Sequence, residues 1–90
     1  LYLNDNQLTG SIPAQLGSLD YLNYLYLSHN QLGGAIPHDF IGLFLWDFAF
    51  KGTQLCEPPD QAFQDWLASI PYVERSGLVC PLAYATMGAL

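Results

Sequence analysis

Two histidines, eight carboxylates, two cysteines and a handful of hydroxyls are the side chains with which this 90-residue chain could do chemistry. Ser28 stands directly before His29, the residue types a hydrolase uses as nucleophile and base. Neighbouring side chains near a strand point to opposite faces, so this pair cannot pass a proton between them. His38 falls on a different part of the chain's repeating unit and should not meet His29. Asp5 and His29 are 24 residues apart. In a chain that repeats at that period they would lie about one strand spacing, roughly 5 Å, from each other. A carboxylate beside an imidazole holds zinc when a third ligand joins. The corresponding position in the next unit is Gly52, which offers none, so a surface Asp–His contact is expected. Asp5, Asp20, Asp39, Asp47, Asp60 and Asp65 are spread over different faces, and nothing brackets a substrate as paired glycosidase acids do. There is no G-x-G-x-x-G, phosphate loop, H-E-x-x-H or G-x-S-x-G. The chain is read as non-catalytic, with no cofactor and no metal.

Charge narrows the partners. The formal net charge is −6, and Lys51 and Arg75 are the only fixed cations. Binding nucleic acid through its phosphates takes several such contacts, so that class is excluded. Hydrophobic residues at 51% against 11% charged exclude a disordered chain. No uninterrupted apolar run reaches the roughly 18 residues of a membrane span. Cys56 and Cys80 form no C-x-x-C pair and have no further ligands at zinc-like spacing.

The elements that must position these residues come from a repeat. Laying residues 1–24 over 25–48 gives ten identities in 24 positions, among them Leu1/Leu25, Leu3/Leu27, Asn6/Asn30, Leu8/Leu32, Gly10/Gly34, Ile12/Ile36 and Pro13/Pro37. A third, degenerate copy starts at Leu45, with Phe48, Phe50, Thr53 and Leu55 falling where Leu25, Leu27, Asn30 and Leu32 fall, after a one-residue shortening. Leu25-Tyr26-Leu27 alternates in, out, in, as a short half-buried strand does. Asn30 sits at the turn that follows, where its amide can satisfy open backbone groups. Gly34 allows a tight bend, and Pro37 suits an extended stretch. One such coil cannot bury its own apolar side, so coils must stack.

Leu22-x-x-Leu25-x-Leu27-x-x-Asn30-x-Leu32-x-Gly34-x-Ile36-Pro37 resembles the leucine-rich repeat family. The 24-residue period with G-x-I-P is similar to the plant-type class, found in receptor ectodomains and secreted proteins. The resemblance covers residues 1–55, about two and a half coils, and implies an α/β repeat solenoid with short parallel strands on one face. Thr53 in place of Asn, with no G-x-I-P after it, marks the end of the solenoid. The chain starts at Leu1 with nothing stacked before that coil, so upstream repeats of the same protein are expected.

Composition changes at Cys56. Phe63, Trp66, Leu67 and Ile70 recur at three and four, which predicts an amphipathic helix over about 58–70, begun by Pro58 and Pro59 and stopped by Pro71. Its apolar face, Trp66 included, is expected as core over the third coil. Residues 72–79 read as a return segment. The segment 56–81 resembles the cysteine-containing C-terminal caps of extracellular leucine-rich repeat proteins. Cys56 and Cys80 flank the helix as an even pair, which in a secreted chain predicts a disulfide; two buried free thiols in a cytosolic chain are the alternative. The expected location is extracellular or at the cell surface. Residues 82–90 are an apolar tail, or the start of a hydrophobic segment.

In such a solenoid the outward strand side chains form columns on one face. Counted from the motif, they are Tyr2, Asn4 and Asp5, then Tyr24, Tyr26, Ser28 and His29, then Asp47, Ala49 and Lys51. Tyrosine supplies stiff contact area with a polar tip. The expected function is recognition of a protein, peptide or glycan through this face. The alternative is a purely structural cap of a longer solenoid.

Overall fold

The computed structural model describes residues 1–81, and the apolar segment 82–90 lies outside them. The strands are β1 (Thr9–Gly10), β2 (Tyr24–Tyr26), β3 (Gln31–Ala35), β4 (Asp47–Ala49), β5 (Gln54–Cys56) and β6 (Tyr72–Glu74), with helix α1 (Gln61–Ser69) between β5 and β6. Two three-stranded parallel sheets result, ordered β1-β3-β5 and β2-β4-β6. In the second sheet Leu25 pairs with Phe48, and Phe48 with Val73. A parallel bridge from Tyr2 to Tyr26 adds a first rung to it. Short 3-10 helices at Ala14–Ser18 and His38–Gly42 form the return legs of the first two coils. They pack so closely that a Cβ on Gly17 would stand 2.8 Å from the Asp39 carbonyl oxygen, which only glycine avoids.

The core follows the alternation. Leu25, Leu27, Ile36, Phe40, Phe48, Phe50 and Leu55 are fully buried between the two sheets and the return legs. After each inner strand the chain turns through a left-handed residue at the same place in each coil: Asp5 and His29 at φ 58°, Gly52 at φ 75°. The next residue ties the turn down. Asn30 donates to the carbonyls of Leu27 at 3.0 Å and Leu3 at 2.8 Å, and accepts from the Leu8 amide at 3.1 Å, so one buried amide bridges two coils. In the third coil Thr53 ties down its own turn with a shorter side chain, without reaching a second coil: it donates to the Phe50 carbonyl at 2.6 Å and accepts from the Leu55 amide at 3.3 Å.

The helix is shorter than the sequence predicts, beginning at Gln61 rather than near 58. A residue before proline is pushed to extended backbone, so Pro59 keeps Pro58 out of the helix. Asp60 caps it by accepting from the Phe63 amide at 3.1 Å. A contact at 2.8 Å with the His38 ring is the main influence holding the Asp60 carboxyl below its ordinary range. Glu57, just before the two prolines, is buried and meets Arg75 at 2.6 Å and Gln64 at 3.1 Å. Phe63, Trp66 and Leu67 are buried, and the Trp66 indole donates to the Leu43 carbonyl at 3.0 Å, so Trp66 is core as expected.

The segment 72–79, expected only to return the chain, supplies a further strand. β6 pairs in parallel with β4, so α1 takes the place that the 3-10 helices hold in the earlier coils. Cys56 and Cys80 are joined in a disulfide. Beside it Glu57 pairs with Val79, through Glu57 N–H to Leu78 at 3.0 Å and Cys80 N–H to Glu57 at 2.9 Å.

Candidate functional site

The inner strands point one set of side chains to the core and the other onto an open face. On that face the Tyr2 and Tyr26 rings lie against each other, centroids 4.8 Å apart and tilted by 38°. The Tyr26 hydroxyl donates to Asp47 Oδ2 at 2.6 Å, which fixes the ring across two neighbouring strands. Ionising the phenol would lose that donor beside a carboxylate. The hydrogen bond, with desolvation and the Asp47 charge acting the same way, pushes the Tyr26 pKa up to about 12.

Beside this pair is a hollow of about 360 Å³ lined by Asn4, Asp5, Tyr26, Ser28, His29, Asp47, Ala49 and Glu74. It draws on three successive coils and β6, because the register sets Tyr2 beside Tyr26, Tyr26 beside Ala49 and Ala49 beside Glu74. Seven of the ten outward positions read from the sequence meet here, Ala49 among them. Tyr2 borders them through its ring contact with Tyr26, while Tyr24 and Lys51 do not line the hollow.

Exposure differs from the expectation at two places. Ser28 and Ala49, counted as outward and free, are buried, at 6% and 7% exposure. Both side chains are short, and each sits between coils on both sides, so their neighbours close over them. The Asp5–His29 contact is not formed either. Asp5 accepts from Asn4 at 2.8 Å, and the His29 ring lies over Gly52, where a Cβ would come within 2.6 Å of Nδ1. Among the described residues no three of His, Cys, Asp and Glu converge as a metal-ligating group.

Glu74 was missed because Pro71 ends the helix and no leucine stands among residues 72–77. A signal was present: Ile70-x-x-Val73 repeats the spacing of Leu22-x-x-Leu25 and Leu45-x-x-Phe48, placing Tyr72 and Glu74 outward on either side of Val73. Tyr72 is 69% exposed.

Residues 1–19 and 21–43 match the Leucine Rich Repeat family model, one match for each of the first two coils. These two coils, 42 of the 90 residues, are similar to leucine-rich repeats. No curated protein matches the chain. Leucine-rich repeats generally serve as non-catalytic modules that mediate protein binding. No helix among the described residues is long and apolar enough to cross a membrane.

The Tyr26–Asp47 contact on the strand face has a direct readout. Ultraviolet titration should show one tyrosine ionising near pH 12 while the folded state persists. Because the folded pKa is raised, the contribution of this contact to stability is complete below the ordinary value near 10. It is lost as pH rises from there through about 12. In Asp47→Asn the late step should move back toward about 10. A late step that persists in this variant would show that Asp47 is not its cause.

Proposed function

We propose that the chain is a non-catalytic recognition module from the C-terminal end of an extracellular leucine-rich repeat protein of the plant type, and that its strand face binds a protein or peptide. The observation that carries this is the Tyr2–Tyr26 pair at the edge of a polar hollow assembled from three coils and the cap strand β6. Two stiff rings give apolar contact area at little entropic cost, and the hollow beside them supplies directional polar groups. Residues 1–55 provide the coils. Residues 56–81 act as their C-terminal cap: α1 lays Phe63, Trp66 and Leu67 over the last apolar layer, where an uncovered solenoid end would meet water. The Cys56–Cys80 disulfide supports an oxidising location, outside the cell or at its surface. Upstream repeats of the same protein would extend the face past Tyr2.

Selection of displayed peptides on the folded chain, with counter-selection on Tyr26→Ala, tests this. Peptides are expected that lose about 5- to 30-fold in affinity on the variant, equivalent to roughly 1–2 kcal/mol. Selected peptides that bind both forms alike would place recognition elsewhere.

A further inference from the structure

The chemistry of the hollow is lopsided. Asp5, Asp47 and Glu74 bring three carboxylates to it. Asp47 uses Oδ2 for the Tyr26 hydroxyl and Asp5 uses Oδ2 for the Asn4 amide, which leaves an oxygen open on each. Glu74 takes part in neither ion pair of the described residues, which are His38–Asp60 and Arg75–Glu57. Donors are few. The Tyr26 hydroxyl is already committed, and the His29 ring has turned to Gly52. Lys51 is the only fixed cation in the strand columns, so three carboxylates outnumber it.

An independent feature lies within the same hollow. Ser28 is 6% exposed, it helps line the hollow, and its Oγ has no hydrogen-bond partner among the described residues. Buried hydroxyls are almost always partnered, and one that is not is costly to keep. It is the kind of atom that a ligand group completes.

We propose that the hollow receives the guanidinium of an arginine side chain presented by the protein or peptide partner, an inference that rests on the strand-face reading above. An arginine head group has five N–H donors and no acceptor, which complements a lining rich in acceptors. Its planar face can lie on the Tyr26 ring as a cation–π contact. Its edge can then reach the open oxygens of Asp47 and Glu74, with the Ser28 hydroxyl oxygen accepting below. The carboxylates belong to different coils and do not converge on one point. That spread suits a broad, delocalised cation better than a compact ammonium.

The test is a titration of the isotope-labelled 90-residue chain, followed by its backbone amide resonances. The probes are acetyl-arginine amide and acetyl-citrulline amide, which has nearly the same shape and no charge. The arginine probe should shift Tyr26, Ser28, Asp47 and Glu74 along a saturating curve, with the citrulline probe weaker by about tenfold or more. The combined Asp47→Asn and Glu74→Gln variant should bind the two probes alike, and its dispersed spectrum verifies that it is folded. Equal binding of both probes to the unaltered chain overturns the arginine assignment. Should neither probe shift the face while a selected peptide does, the arginine assignment falls alone. Should a selected peptide leave the face unshifted as well, the strand-face reading falls with it.

Discussion

Reducing the Cys56–Cys80 disulfide is expected to cost about 3.5 kcal/mol of stability, the chain-entropy value for a loop of this size. The two cysteines are 24 residues apart, and the loop they close contains the whole of α1 and β6. In the reduced unfolded chain that segment is free to move away from the coils. In the oxidised chain it cannot. Native contacts at the same place are modest and do not replace the link: two backbone hydrogen bonds between Glu57 and residues 78–80, the Ser76 hydroxyl on the Leu55 carbonyl, and the Arg75–Glu57 ion pair. Arg75 is 41% exposed at its side chain, so solvent screens part of that pair. Denaturant unfolding of the oxidised chain against the Cys56→Ser, Cys80→Ser double variant gives the measurement. The midpoint should fall well below that of the oxidised chain. A difference under about 1 kcal/mol would mean that the unfolded chain already holds this loop closed. Thiol labelling of the denatured, unreduced protein should find no reactive cysteine; two reactive thiols would mean the bond does not form in solution.

Most of the coil architecture was legible because a repeat reports the same physics more than once. Leu25 and Leu27, compared with Leu1 and Leu3, give the strand register. The third copy is readable through Phe48 and Phe50 because ring and leucine fill the same inward place. Thr53 shows the limit of reading by identity: it departs from Asn, yet its hydroxyl meets the carbonyl and amide that the turn leaves open. The strand at Tyr72–Glu74 was hidden because its inward residues are reduced to Val73, with Arg75 where a leucine would stand, so its role depends on pairing with β4. The start of α1 moved because two adjacent prolines favour extended backbone more strongly than they favour a first helical turn. On the strand face, residue type and outward direction could be read from the motif. The burial of Ser28 could not, because it depends on how closely the coils on either side approach.

The largest loss from a single substitution is expected at Phe48. Its ring is fully buried at the meeting of the third coil and α1, with centroids 4.8 Å from Phe50, 6.0 Å from Trp66 and 6.2 Å from Phe40. Phe48→Ala removes the member these rings share. The surrounding groups are poorly placed to collapse into the space. Phe50 is held in the third coil by the hydrogen bond from its amide to the Glu74 carbonyl, and Trp66 by its bond to Leu43. The cost should therefore be the lost burial plus a cavity, about 3–5 kcal/mol. Phe44 is the control: the same residue type four positions earlier, but 82% exposed. Phe44→Ala should change stability by no more than about 0.5 kcal/mol. Chemical denaturation of the two variants beside the unaltered chain checks both. Should the two costs be equal, or reversed, the parallel register of Leu25 with Phe48 would be wrong, and the columns that bring Tyr26 and Asp47 together would be wrong with it.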